Sequence, residues 1–134
     1  MRSTNDPPET WHDARILALR PSKNAVDPLI HREYLGELAD AYAPAGTDRK
    51  DPRVSPLYAD LRGLPPTLIQ VGSAETLLDD GTRFAAAAGE ADVPVTLEIW
   101  PNMIHAWPVW NARLEPGRRA LANAGAFIRR NLSR

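Results

Sequence analysis

The sequence predicts an α/β fold, and three observations carry that prediction. ThrLeuIleGlnVal at 67–71 is a short, nearly continuous apolar run with β-branched side chains. ValThrLeuGluIleTrp at 95–100 alternates apolar with polar, and apolar spacing of helical period follows each run. Strand, helix, strand, helix in this order is a βαβα unit, whose strands should lie parallel with a right-handed crossover.

Taken from the N-terminus, residues 1–23 are polar and proline-bearing, with IleLeuAlaLeu at 16–19 as their one apolar cluster. We expect a poorly ordered leader there. Asp27-Pro28 pairs a capping carboxylate with a proline at the first helical position, and Ile30, Tyr34, Leu38 and Tyr42, with Leu35 beside them, form one stripe at helical spacing. This predicts a helix over 28–43 that buries one face. AlaProAlaGlyThrAsp at 43–48 ends it, and Asp51-Pro52, Ser55-Pro56 and Pro65-Pro66 hold 47–66 in extended and turn conformations.

Strand 67–71, closed by Gly72, should be covered on both faces. Asp79 or Asp80 can then cap a helix over roughly 80–91, with Phe84, Ala85 and Ala88 as its packing face, and Pro94 stops it. Strand 95–100 sets Val95, Leu97 and Ile99 inward against Thr96 and Glu98. A last helix from Pro116 to about Asn131 gathers Leu121, Ala124, Phe127 and Ile128 on one side, with Arg129 and Arg130 near its negative end. The 13 prolines punctuate these elements.

A chain of 134 residues, 43% apolar and 25% charged, has the length and make-up of one globular domain. Its 16 Lys and Arg stand against 17 Asp and Glu, and the two halves are equally balanced, so no electrostatic case exists for nucleic acid or an anionic membrane as partner. The absence of cysteine excludes a disulfide framework, a thiolate nucleophile and Cys-ligated zinc. No run approaches the ~18 apolar residues of a membrane span, and MetArgSerThrAsnAspProProGlu is too polar for a signal peptide, so the expected location is the cytoplasm. His31 with Glu33, and His12 with Asp13, lack a spaced third ligand and read as surface residues rather than a metal set.

Open α/β sheets gather ligands and catalytic groups beyond the C-terminal ends of their strands. Glu75 follows the first strand by a few residues, and His105 lies in ProAsnMetIleHisAlaTrpPro at 101–108, after the second. A crossover brings those two strand ends together, so the carboxylate can orient the imidazole: the acid and base of a catalytic triad. A carboxylate after a strand can equally be a solvated loop residue or cap, and a lone loop histidine incidental. Trp107, with Trp100 and Trp110 nearby, can wall an acyl pocket or simply pack.

SerProLeuTyrAlaAspLeuArgGlyLeuProProThrLeuIleGlnValGlySerAlaGluThrLeuLeuAspAsp at 55–80 and GluIleTrpProAsnMetIleHisAlaTrp at 98–107 together narrow the choice. They resemble the C-terminal region of bacterial hormone-sensitive-lipase-like esterases, and the resemblance extends over roughly residues 24–131. It implies a partial α/β-hydrolase fold, two parallel strands of a βαβα unit plus a preceding helix. It places Glu75 at the catalytic acid, Asp79 at a second, structural carboxylate and His105 at the catalytic base; of the three tryptophans beside the histidine loop, Trp107 is the favoured candidate for substrate contact. The chemistry it implies is acyl transfer from an ester, with no metal or organic cofactor.

The departures are as informative as the matches. The family's Gly-x-Ser-x-Gly elbow and HisGlyGlyGly-type oxyanion loop are absent: none of Ser3, Ser22, Ser55, Ser73 and Ser133 has glycines two residues to either side, and no two glycines are adjacent. Ser73 sits on the same strand end as the acid and is read as a small turn residue. The expectation is therefore the C-terminal segment of a carboxylic-ester hydrolase, from a truncated or split gene, carrying acid and base but inactive alone. The alternative is a non-catalytic interaction module that pairs with a separate N-terminal half or a full-length homologue, or with its own copy through strand edges.

Overall fold

A computed structural model describes residues 27–132 apart from positions 31 and 44. The elements are helix α1 (Arg32–Tyr42), a 3-10 turn (Pro56–Tyr58), strand β1 (Thr67–Gly72), helix α2 (Leu78–Glu90), strand β2 (Val95–Trp100), a second 3-10 turn (Trp107–Trp110) and helix α3 (Glu115–Leu132). The leader over 1–23, His12, Asp13, His31 and the Glu33 side chain lie outside what is described.

The βαβα unit is present as the sequence predicts. β1 and β2 pair in parallel, Thr67 beside Val95 through Gly72 beside Trp100. A parallel pair needs cover on both faces, and the two later helices supply it. Ile69 and Val71 alternate toward α2, which approaches so closely that a Cβ on Gly81 would fall 2.4 Å from a Val71 methyl. Leu61, Ala88 and Val93 form a buried cluster there, with Phe84, Ala87 and Val95 packed against it.

The opposite face is polar and lies under α3. Gln70 donates to the Ala120 carbonyl and to Glu98, each at 2.9 Å, and Glu98 also accepts from the Trp100 indole at 3.1 Å and the Asn123 amide at 3.0 Å. Glu98 is therefore not the solvated residue its alternation suggests, whereas Ile99, on the expected inward face, is 48% exposed. Cover on β1 is also uneven: Thr67 to Gln70 are half-buried and only Val71 and Gly72 are buried.

The N-terminal helix departs furthest from expectation. Asp27 does cap, its Oδ1 accepting the amides of Leu29 at 3.0 Å and Ile30 at 3.1 Å. The helix itself begins at Arg32, because the capped turn is committed elsewhere: Asp27 Oδ2 takes the Thr76 amide at 3.0 Å, and the Thr76 hydroxyl donates to the Ile30 carbonyl at 2.7 Å. The apolar stripe is not buried either, since Tyr34 is 39%, Leu38 45% and Tyr42 71% exposed. A neighbouring side of α1, at Leu35, Gly36 and Ala39, with Ala43 just past its end, borders a cavity of about 820 Å³. Among the described residues no helix is long and apolar enough to cross a membrane.

Candidate active site

Both strands end at one rim, and the loops leaving them are joined backbone to backbone. The Ser73 amide donates to the Trp100 carbonyl at 2.8 Å, continuing the ladder one step past β1. The Ala74 amide donates to the Met103 carbonyl at 3.0 Å, and the Asn102 amide to the Ser73 hydroxyl at 2.8 Å. Asn102 takes a left-handed turn to do so, at φ 59°. Ser73 thus joins the two loops as an acceptor, a more specific task than turning the chain.

Gly72 is the contact on which this junction depends. A Cβ there would stand 2.0 Å from the Met103 carbonyl oxygen, a main-chain atom with no room to retreat. Only a residue without a side chain lets the histidine loop settle on the end of β1.

Glu75 is buried in the resulting corner, at 5% exposure. Its Oε2 accepts the Gly72 amide at 3.0 Å, which fixes the carboxylate and leaves its other oxygen uncommitted by that bond. Burial pushes its pKa above the ordinary carboxylate value; the Gly72 amide and the positive charge of His105 pull it down, and the neighbouring Asp27 pushes it up again. His105 is half-buried, and its Nδ1 is buried without a hydrogen-bond partner among the described residues. The structure therefore brings Glu75 and His105 within electrostatic influence of each other, with no hydrogen bond through Nδ1.

Trp107, two residues after His105, is packed into the interior. It is 2% exposed, its ring centre 6.0 Å from that of Trp100, and its carbonyl lies 3.2 Å from where a Gly117 Cβ would be, so α3 packs tightly on it. Its indole N–H has no partner among the described residues. Arg119 of α3 stacks over Trp100 at 5.4 Å. Asp79 lies in the first turn of α2, where its carbonyl accepts the Thr82 hydroxyl at 2.9 Å.

Two residues that sequence reasoning gave other duties belong to this neighbourhood. Asp27, read as a helix cap, is 5% exposed and holds the residue after the acid. Asp80, read as an alternative cap, has a buried Oδ2 with no hydrogen-bond partner among the described residues, and burial raises its pKa to about 6 despite the nearby Arg83 charge. A strand-closing glycine followed shortly by a carboxylate is a signal that could have marked Gly72 for close backbone approach. Nothing local marks the tertiary duty of Asp27. Among the described residues no three His, Asp or Glu side chains are grouped to hold a metal.

Comparison with known proteins agrees with the α/β fold. A family model described as the alpha/beta hydrolase fold matches residues 7–109. An acetyl-hydrolase of Streptomyces hygroscopicus is 46% identical over 112 residues, 84% of this chain and 37% of its own length. Among solved structures, an esterase/lipase from an uncultured bacterium superposes with a TM-score of 0.79 at 38% identity, over 85% of this chain and 38% of that one. An esterase of the bacterial hormone-sensitive lipase family does so at 0.79 and 40% identity, over 83% and 37%. The chain thus spans little more than a third of the relatives it matches.

Proposed function

Given that this chain belongs to the alpha/beta hydrolase fold family, we propose that it supplies the acid and the base of a serine-dependent carboxylic-ester hydrolase. Glu75 is the acid, His105 the base, and the nucleophile and oxyanion donors come from a part of the fold outside these 134 residues. The observation that carries this reading is the buried Glu75, anchored by the Gly72 amide and under the influence of His105 at the shared end of two parallel strands. The family's chain order of nucleophile, acid, histidine puts the missing serine N-terminal to both.

In the complete site, a serine hydroxyl attacks the ester carbonyl while His105 takes its proton. The imidazolium then returns that proton to the departing alcohol, and a water molecule repeats the sequence to release the acid. Glu75 keeps His105 in the tautomer that can accept the proton and offsets its positive charge. Trp107 contributes by packing behind the histidine loop, and the site works in the cytoplasm on a small ester.

The test is hydrolysis of p-nitrophenyl acetate. The 134-residue chain alone is expected to give no rate above buffer, because a triad enzyme without nucleophile and oxyanion donors lacks the groups its chemical step needs. Joined to the N-terminal portion of the Streptomyces acetyl-hydrolase, it is expected to turn over, and His105→Ala in that assembly to abolish the rate. Turnover by the chain alone that survives repurification and is lost in Ser73→Ala overturns the proposal.

A further inference from the structure

A catalytic carboxylate has to be held to a fraction of an ångström, which requires the chain on both sides of it to be fixed. Before Glu75, the Ser73 and Ala74 amides donate to the Trp100 and Met103 carbonyls at 2.8 and 3.0 Å. The Glu75 amide itself makes a long bond, 3.4 Å to the Gly72 carbonyl. After it, the Thr76 amide donates to Asp27 Oδ2 at 3.0 Å, across 49 residues. The helix that follows adds no such hold, since α2 starts at Leu78 without a side-chain cap.

Three features set Asp27 apart from an ordinary cap. Both of its oxygens are used, Oδ1 by the Leu29 and Ile30 amides and Oδ2 by the Thr76 amide. An asparagine has one acceptor oxygen and would turn an NH2 group against the remaining amide, so a carboxylate is what serves both sides. Secondly, Asp27 and Thr76 are both buried, and the Thr76 hydroxyl donates to the Ile30 carbonyl at 2.7 Å, so the capped turn and the acid loop are tied twice. Thirdly, the negative charge of Asp27 works against ionisation of Glu75. A neutral serine or asparagine would cap the turn as well without that cost. The carboxylate is therefore explained by the tie to Thr76 rather than by the cap.

We propose that Asp27 is a positioning residue for the catalytic acid: by gripping the Thr76 amide it fixes the residue after Glu75, so that the carboxylate keeps its seat on the Gly72 amide. The proposal rests on the reading of Glu75 as the acid of the triad. Asp27 touches no substrate in this role, and its effect passes through the Thr76 backbone. The Ala74–Met103 bond steadies the loop from the histidine side and the Asp27–Thr76 bond from the other end. The Gly72 amide, bonded to Glu75 Oε2 at 3.0 Å, then reports whether the acid is seated.

The experiment compares Asp27→Asn and Asp27→Ser, which keep a cap but lose the charge and the second acceptor, with Val93→Ala, a change in the buried Leu61, Ala88 and Val93 cluster. Amide exchange in the 134-residue chain is read residue by residue by NMR. In both Asp27 variants the Thr76 and Gly72 amides should exchange about tenfold faster or more, the effect of losing a hydrogen bond to a charged group. The rest of the β1–β2 ladder should keep the parent's rates. Val93→Ala should lower Tm without singling out those two amides. In the chain joined to the N-terminal portion of the Streptomyces acetyl-hydrolase, Asp27→Asn should cut kcat on p-nitrophenyl acetate about 10- to 100-fold, the scale of a small misplacement. KM should barely change, and Val93→Ala should turn over at the parent's rate. Unchanged Gly72 exchange, exchange raised uniformly along the chain, or a pattern shared with Val93→Ala overturns the proposal. Loosening at Gly72 in an assembly that never hydrolyses ester leaves the tie between Asp27 and Glu75 standing and removes the proposed function; hydrolysis lost in Glu75→Gln yet untouched in Asp27→Asn does the reverse.

Discussion

Replacing Asp80 by asparagine is expected to stabilise the isolated chain above neutral pH and to do nothing at pH 4. The folded carboxyl titrates at about 6 against an ordinary 3.8, and burial is the leading cause. The folded chain therefore holds a proton that the unfolded chain releases earlier, so stability falls as pH rises through this window and the whole cost is present above about 6. A displacement of that size corresponds to at most ~3 kcal/mol. Asp80 retains part of its surface in water and Arg83 is close, and solvent screening brings the expected gain to about 1 kcal/mol. For a folded unit of this size that is roughly 4 °C in Tm. Circular-dichroism melts of both proteins from pH 4 to 8 read it directly, with an NMR titration of the Asp80 carboxyl beside them. Equal melting at pH 7.5, a gain that persists undiminished at pH 4, or a carboxyl midpoint near 4 would refute the reasoning.

Gly72→Ala should destabilise the chain by about 2 kcal/mol or more, because the new methyl meets a main-chain carbonyl; urea denaturation measures it, and the His105 ring resonances should move with it. In the complemented enzyme, Glu75→Gln should lower kcat by about 10⁴-fold with little change in KM, as expected for losing the group that sets the histidine tautomer. A rate within tenfold of the parent would remove Glu75 from the triad. On size-exclusion chromatography the chain alone should self-associate or aggregate through its free β1 edge, and run as a single complex once the N-terminal portion is supplied; a sharp, concentration-independent monomer with cooperative unfolding would contradict this.

What the sequence reveals about this fold is what repeats locally. Both strands and the two helices after them follow from period and punctuation, because Pro94 and Pro101 stop elements outright and the apolar runs are short and well bounded. The positions of Glu75 and His105 at one rim follow from crossover geometry alone. The rest depends on partners far along the chain. Asp27 looks like a helix cap because capping is the only local use of its side chain, and its bond to the Thr76 amide spans 49 residues. The stripe on α1 reads as a buried face, yet periodicity says only that a helix has an apolar side, not whether the same chain brings anything to cover it. Glu98 reads as solvated, and becomes a hub because α3 brings Asn123 to it while Gln70 and Trp100 point the same way.

The junction between the two loops at the rim is made by main-chain atoms of Asn102 and Met103 and by one small hydroxyl. Side-chain identity at 103 is thereby uncoupled from that junction, whereas 102 stands at φ 59°, a conformation that few side chains adopt without strain. Substitutions at 103 change what the loop presents without resetting the main-chain junction that holds it to β1. The opposite holds at 72, where a single methyl would shift the whole loop. A library built to vary this loop should diversify 103 and leave 72 and 102 alone.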